Sequence, residues 1–136
     1  MNGYLLDTNA CIGWLKRHPA IVRRVIEAGE GRVFLCGTVK SELWFGACNS
    51  QRPDTNKAKL RELFAVLPSL AFDDAVVEHY GEIRAILARS GQIIGPFDLQ
   101  IAASARAHAC SVVTHNIREF CRVPNLLLED WEAEQQ

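Results

Sequence analysis

Four carboxylates carry the chemistry this chain could do: Asp7, Glu42, Asp98 and Glu119. Asp7 ends the apolar run Tyr4-Leu5-Leu6. Glu42 lies one turn inside a helix capped by Thr38. Asp98 falls in the first turn of a helix opened by Gly95-Pro96. Glu119 follows the run Ser111 to Thr114, with Asn116 between. Carboxylates crowded into one cleft repel each other and raise their own pKa values. Helix N-termini relieve only about 0.3–1 kcal/mol each. A hard divalent cation relieves far more and takes oxygen ligands readily. The expected cofactor is therefore Mg2+ or Mn2+, with water filling the remaining positions. Such an ion activates a water and stabilises charge on a phosphoryl oxygen. Read singly, Glu42 and Asp98 are ordinary partners of a helix dipole, and Glu119 is a solvated charge. Asp7 resists that explanation, because a carboxylate directly after a buried apolar run is costly without a partner or a task.

The elements that would bring the four together follow from periodicity and punctuation. Gly3 to Leu6, Arg32 to Cys36, Leu70 to Phe72 and Ser111 to Thr114 read as short buried strands, and Leu126 to Leu128 as an edge strand. Between them lie helical patterns. Asn9 caps one running to about Lys16, Pro19 starts another that stops near Gly29, and Thr38 caps a third reaching about Cys48. Thr55 opens a helix ended by Pro68, and Asp73 or Asp74 caps a long one ending at Gly91. Strands alternating with helices imply an α/β fold with a parallel sheet covered on both faces. Such a sheet puts all strand C-termini, and the helix N-termini that follow them, on one edge. The four acids meet there. Thr8 and Asn9 shape the turn behind Asp7, and Thr114 either ends its strand or holds Asp7 by a hydrogen bond.

The bulk properties suit one domain spanning residues 1–136. Of the 136 residues, 49 % are hydrophobic and 23 % charged, which is ordinary for a globular protein with its own core. The formal net charge of −1 carries no global signature of nucleic-acid binding, although a local patch can serve. No run has membrane-spanning length, and the first residues lack the pattern of a signal peptide, so a cytoplasmic protein is expected. The five cysteines are odd in number and include no Cys-x-x-Cys pair, which argues for reduced thiols over a disulfide framework or a zinc ribbon.

Leu6-Asp7-Thr8-Asn9, Ser41-Glu42, Gly95-Pro96-Phe97-Asp98-Leu99-Gln100-Ile101-Ala102-Ala103 and Val113-Thr114-His115-Asn116-Ile117-Arg118-Glu119-Phe120 occur in that order, with Leu126 to Trp131 at the end. In order and spacing they resemble the PIN-domain ribonucleases, specifically the VapC toxins of bacterial toxin–antitoxin pairs. The resemblance covers nearly the whole chain. It implies a PIN-like three-layer α/β/α sandwich with a central, mostly parallel sheet, and a Mg2+- or Mn2+-dependent endoribonuclease that forms a homodimer. Asp7 and Asp98 match direct metal ligands, and Glu42 binds metal or orients the attacking water. Many members carry aspartate where this chain has Asn116, so either Asn116 or Glu119 faces the metal. Glu119 is expected to supply the fourth charge. Structured single-stranded loops of tRNA are the implied substrate, cut to leave 3′-hydroxyl and 5′-phosphate ends. The implied partner is a VapB-like antitoxin that lays a C-terminal segment across the cleft, near Ile12 to Leu15 and Trp44-Phe45, and through which alone promoter DNA is reached. Phosphate contacts are expected among Lys16-Arg17, Arg23-Arg24, Arg52, Lys57, Lys59, Arg84, Arg89, Arg118 and Arg122. Trp14, Trp44 and Phe97 are candidates for base stacking, Phe97 best placed because it adjoins Asp98.

Three rivals make different demands. A phosphatase of the haloacid-dehalogenase type needs a second aspartate two residues after the first, and that position is Asn9. A receiver domain needs a late lysine after a strand, and no lysine follows Lys59. A catalytically inactive binding module is kept in play by Asn116.

Overall fold

The computed structural model describes residues 3–133. Four short apolar runs and one edge segment form its sheet: β1 (Gly3–Leu6), β2 (Val33–Cys36), β3 (Ser69–Leu70), β4 (Cys110–Val113) and β5 (Leu128–Glu129). The strand order is β3-β2-β1-β4-β5, and each pairing is parallel. Leu5, Leu6, Val33, Leu35, Val112 and Val113 are shielded on both faces, which is why the central strands read as continuous apolar runs. Between β1 and β2 lie α1 (Thr8–Leu15) and α2 (Pro19–Ala28), and α3 (Gly37–Cys48) and α4 (Pro53–Val66) join β2 to β3. The long return to β4 runs through α5 (Asp74–Ser90) and α6 (Pro96–Ala107), and α7 (Ile117–Phe120) precedes β5. With this strand order, the right-handed rule for such crossovers assigns the first four helices to one face and the rest to the other. The result is the expected three-layer α/β/α sandwich. Strand order reverses between β1 and β4, which makes the C-terminal ends of those two strands the crevice of the sheet.

Several boundaries depart from the sequence reading, each for a local reason. Asp7, not Asn9, caps α1: its backbone is extended (φ −76°, ψ 175°) and its Oδ1 accepts from the Ala10 N–H at 2.8 Å. Asn9 lies exposed inside the first turn. Thr38 does not cap α3 either. That helix starts at Gly37 directly off β2, and the Thr38 hydroxyl instead donates to Gln100 Oε1 on α6 at 2.8 Å. The next helix starts at Pro53 rather than Thr55, since a proline ring is already set for a first helical position. Phe72 falls outside β3, and the edge strand comes two residues later than expected.

The C-terminal segment is pinned across the sheet. Trp131 is 1 % exposed and packs on Tyr4 with ring centroids 5.3 Å apart. Its Nε1 donates to Glu129 Oε1 at 2.8 Å, and the Arg24 guanidinium reaches the same oxygen at 2.9 Å. This anchor carries Asp130 and Glu132 to the edge where β1 and β4 end.

Candidate active site

Asp7 serves the fold and the site together. Its backbone N–H extends the sheet by bonding Val113 O at 3.0 Å, and its carboxylate turns into α1 as the cap. The side chain is only 6 % exposed. Burial pushes its pKa up, and the charges of Glu132 and Glu42 add to the rise. Hydrogen bonds from the Thr114 hydroxyl and the Ala10 N–H oppose it. Thr114 is itself buried at the end of β4, and its Oγ1 accepts from the Asn116 N–H at 2.8 Å. Thr114 thus ties the two switch-point strands together through the carboxylate.

The other three acids arrive from three helices. Asp98 stands in the first turn of α6, where Pro96 and the cap position Gly95 set the helix start. Its pKa is pushed up to about 6, first by burial and then by the charges of Glu119, Asp7 and Glu42. All four carboxylates therefore share one electrostatic site, as the topology required. Glu42 projects from α3, and its Oε1 accepts a 2.5 Å hydrogen bond from the Thr8 hydroxyl. Glu119 sits in the short α7, half-buried, with Asn116 at the cap position making no side-chain capping bond. Electrostatic reach is not ligation, however. Among the described residues, no three Asp, Glu, His or Cys side chains form a ready metal-ligating group.

The donor set nevertheless fits a hard cation. It is all oxygen, and its charges raise the proton affinity of Asp7 and Asp98. Mg2+ is usually held by one or two carboxylates and keeps several waters. No thiol competes: Cys11, one turn beyond Asp7, is buried with its pKa pushed up to about 12 by burial and by Asp7. Cys36 and Cys110 are buried too, while Cys48 and Cys121 are exposed.

Beside the acids runs a groove of about 860 Å3, lined by Thr8, Thr38, Glu42, Phe45, Phe72, Phe97 and Gln100 among others. Phe97 is 53 % exposed there, and Phe45 and Phe72 are 68 % and 51 % exposed. Arg118 is exposed on α7. Of the basic residues expected to meet phosphate, Arg24 is occupied by Glu129, Arg122 by the Ile93 carbonyl and Arg84 by the Tyr80 hydroxyl. Trp14 is half-buried against the core and lines a separate hollow with Leu15, Lys59 and Leu63.

With this geometry, the comparisons with known proteins are decisive. The PIN domain family profile matches residues 4–126. The chain belongs to the PIN-domain family, among its VapC-type toxins. A Shigella flexneri relative named tRNA(fMet)-specific endonuclease VapC is 41 % identical over 128 residues, covering 94 % of this chain and 97 % of the relative. The structure of DNA-bound VapBC from Salmonella typhimurium matches with a TM-score of 0.89 at 37 % identity, over 96 % of this chain and 99 % of that one. VapBC2 from Rickettsia felis, bound to a fragment of its promoter DNA, matches with a TM-score of 0.86 at 34 % identity, over 96 % and 99 %. The VapC-type assignment makes this a toxin of a type II toxin–antitoxin system, of the ribonuclease class.

Four features of the VapC-type site were not legible in advance. Glu132 lies close enough for its charge to act on Asp7. His115, next to Thr114, pairs through Nδ1 with Asp130 Oδ2 at 2.9 Å, and Asp130 Oδ1 accepts from the backbone N–H groups of Glu132 and Ala133. His115 is exposed, and the Asp130 partner raises its pKa. The Thr38–Gln100 bond ties α3 to α6 beside the groove. Phe72 completes an aromatic wall with Phe97 and with Phe45, which was already expected at the cleft. Only the Trp131 anchor, hidden in the C-terminal sequence, could have signalled the first two.

Proposed function

We propose that this VapC-type toxin hydrolyses RNA phosphodiester bonds with Mg2+ or Mn2+, that tRNA is its substrate class, and that it acts in the cytoplasm to stop translation and growth. The observation that carries the reading is Asp98, whose pKa is driven to about 6 by burial and by Glu119, Asp7 and Glu42. A site that collects four mutually repelling carboxylates at a sheet's crevice is built for a cation and a phosphate. The Shigella relative's name supports the choice of tRNA. The VapBC complexes support a VapB-like antitoxin as partner, with promoter DNA reached through it. A homodimer and a single domain over residues 1–136 complete the proposal. Among the described residues, no helix is long and apolar enough to cross a membrane.

Asp7 and Asp98 would hold the cation. When bound, it would polarise the scissile phosphate and lower the pKa of an attacking water. Thr114 fixes the Asp7 carboxylate in place and Thr8 fixes Glu42. Glu42 and Glu119, whose charges both act on Asp98, would accept protons or orient water. Asn116 offers an oxygen but no charge, so we assign the fourth negative charge to Glu119. Phe97 would meet a base and Arg118 a phosphate.

Purified protein should cleave total tRNA with Mg2+ or Mn2+ and stop on addition of EDTA. Asp7→Asn should fold and lose cleavage. Cleavage by that variant at the parent rate would sink the assignment. Asn116, which offers an oxygen but no charge, supports a second reading, an inactive RNA-binding homologue. That reading predicts binding of tRNA with no metal-dependent cleavage by the parent protein.

A further inference from the structure

The groove beside the acids does not end at its phenylalanines. It opens, across Ser41 and Phe45, into a second hollow of about 440 Å3 on the outer face of α3 and α4, lined also by Lys40, Trp44 and Phe64. Three cations lie on the aromatic faces of this strip. Lys40 Nζ is 4.8 Å from the Phe64 ring centroid, Lys57 Nζ is 5.8 Å from that of Trp44, and Arg61 Cζ is 5.1 Å from Trp44. Among the described residues, none of the three has a carboxylate within 4.0 Å. Glu42 belongs to the catalytic cluster and Glu62 to the hollow beside Trp14 and Lys59, while Asp54, one turn before Lys57, is its one acidic neighbour on α4 and is not within 4.0 Å of it. The strip is therefore cationic and aromatic, and it is continuous with the acid site.

We infer that a single RNA strand leaving the acid cleft crosses Phe45 and lies along the Lys40–Trp44–Arg61 strip of α3 and α4. The inference rests on the ribonuclease reading above and adds the path of the substrate. The argument for RNA is charge complementarity. Each cation is held over a ring instead of being neutralised by an acid, so it remains available to a phosphate, while the exposed Phe45 offers a face to a base. An acid cleft repels a polyanion, and a binding surface beside it must supply the attraction that the cleft lacks. Lys40, Lys57 and Arg61 do so on the side where the groove opens.

The test measures binding of a labelled single-stranded oligoribonucleotide by fluorescence anisotropy on the Asp7→Asn background, over a series of salt concentrations. Lys40→Glu and Arg61→Glu should each weaken binding and lower the salt slope by about 0.7, the loss of one phosphate contact on a single strand. Arg32→Glu makes the same charge change ahead of β2, at the end of the sheet away from the cleft, and should leave both nearly as they were. Phe45→Ala should weaken binding by about 5- to 150-fold with the slope unchanged, as loss of one stacked base does. Where a reversal lowers the melting temperature, Lys40→Gln and Arg61→Gln replace it. If the parent protein cleaves RNA while Lys40→Glu and Arg61→Glu match Arg32→Glu, the path is wrong and the ribonuclease reading stands. If Phe45→Ala changes the sedimentation of the protein and leaves RNA affinity intact, the strip is a contact between protein chains and the inference is overturned. If the parent neither binds nor cleaves RNA, both readings fall.

Discussion

Asp98→Asn should make the metal-free protein more stable at neutral pH while abolishing cleavage. The Asp98 pKa rises from 3.8 to about 6, a difference worth at most about 3 kcal/mol at about 1.36 kcal/mol per pH unit. The side chain is partly exposed, so solvent screening reduces this to about 1–2 kcal/mol. Loss of a negative charge from the first turn of α6 offsets about 0.3–1 kcal/mol. The net gain is about 0.5–1.5 kcal/mol, or roughly 2–6 °C in Tm for a chain of this size. The sign follows from the direction of the shift. A carboxyl with a raised folded pKa contributes stability that is complete below its unfolded value, near 3.8, and is lost as the pH rises through about 6. Thermal melts of parent and variant in EDTA should therefore diverge between pH 4 and pH 7, with the variant higher at pH 7. With Mg2+ or Mn2+ added, the parent should gain Tm and the variant should gain much less. A variant less stable than the parent in EDTA at pH 7 would refute the claim that Asp98 is a strained member of a carboxylate cluster. A variant with full cleavage would refute its role in the chemistry.

Other substitutions test the supports of the site. Thr114→Val removes the hydroxyl that bonds Asp7 and accepts from Asn116, and should cost about 1.5–3 kcal/mol in urea denaturation. It should also raise the Asp7 pKa further, moving the acid limb of the cleavage pH profile to higher pH. Trp131→Ala should cost about 3–5 kcal/mol, because a fully buried ring leaves a cavity, and it should loosen Asp130 and Glu132 from the site edge. Trp131→Phe keeps most of that packing and should lose far less, the difference being read in the same denaturation curves. Arg106→Gln should cost about 1–3 kcal/mol, since the guanidinium joins His79, Glu82 and the Pro124 carbonyl at a largely shielded position.

Legibility in the sequence followed the range of the forces involved. The strands were readable because burial on both faces leaves uninterrupted apolar runs, as in Tyr4 to Leu6 and Val33 to Cys36. Asp98 was readable because Gly95-Pro96 announces a helix start two residues earlier. The caps at Asp7 and Cys36 were misplaced by the sequence reading for opposite reasons. At Asp7 the carboxylate proposed for the chemistry doubles as a cap, and at Cys36 a helix begins without any side-chain cap. Thr38, a good cap residue by type, is drawn instead to Gln100, a partner 62 positions away. Glu132 and the His115–Asp130 pair depend on where Trp131 docks, and docking against Tyr4 leaves no local pattern to read.

The double duty of Asp7 explains why the site and the fold can be separated by one kind of substitution and not by another. One carboxylate oxygen is used in the hydrogen bond to the Ala10 N–H, a cap that either Asp or Asn can make. The charge, by contrast, is held against desolvation by Thr114 and Ala10 while Glu42 and Glu132 oppose it. Asparagine keeps the cap and removes the charge, so Asp7→Asn isolates the chemistry. Alanine removes both, and it would cost about 1 kcal/mol of stability through the cap alone. Relief of the buried charge works against that loss, so a null effect of Asp7→Ala on stability would be two cancelling contributions. The comparison of the Asn and Ala variants measures the cap. The comparison of Asn with the parent measures what the cluster costs the fold, and that cost is the electrostatic tension a bound cation would release.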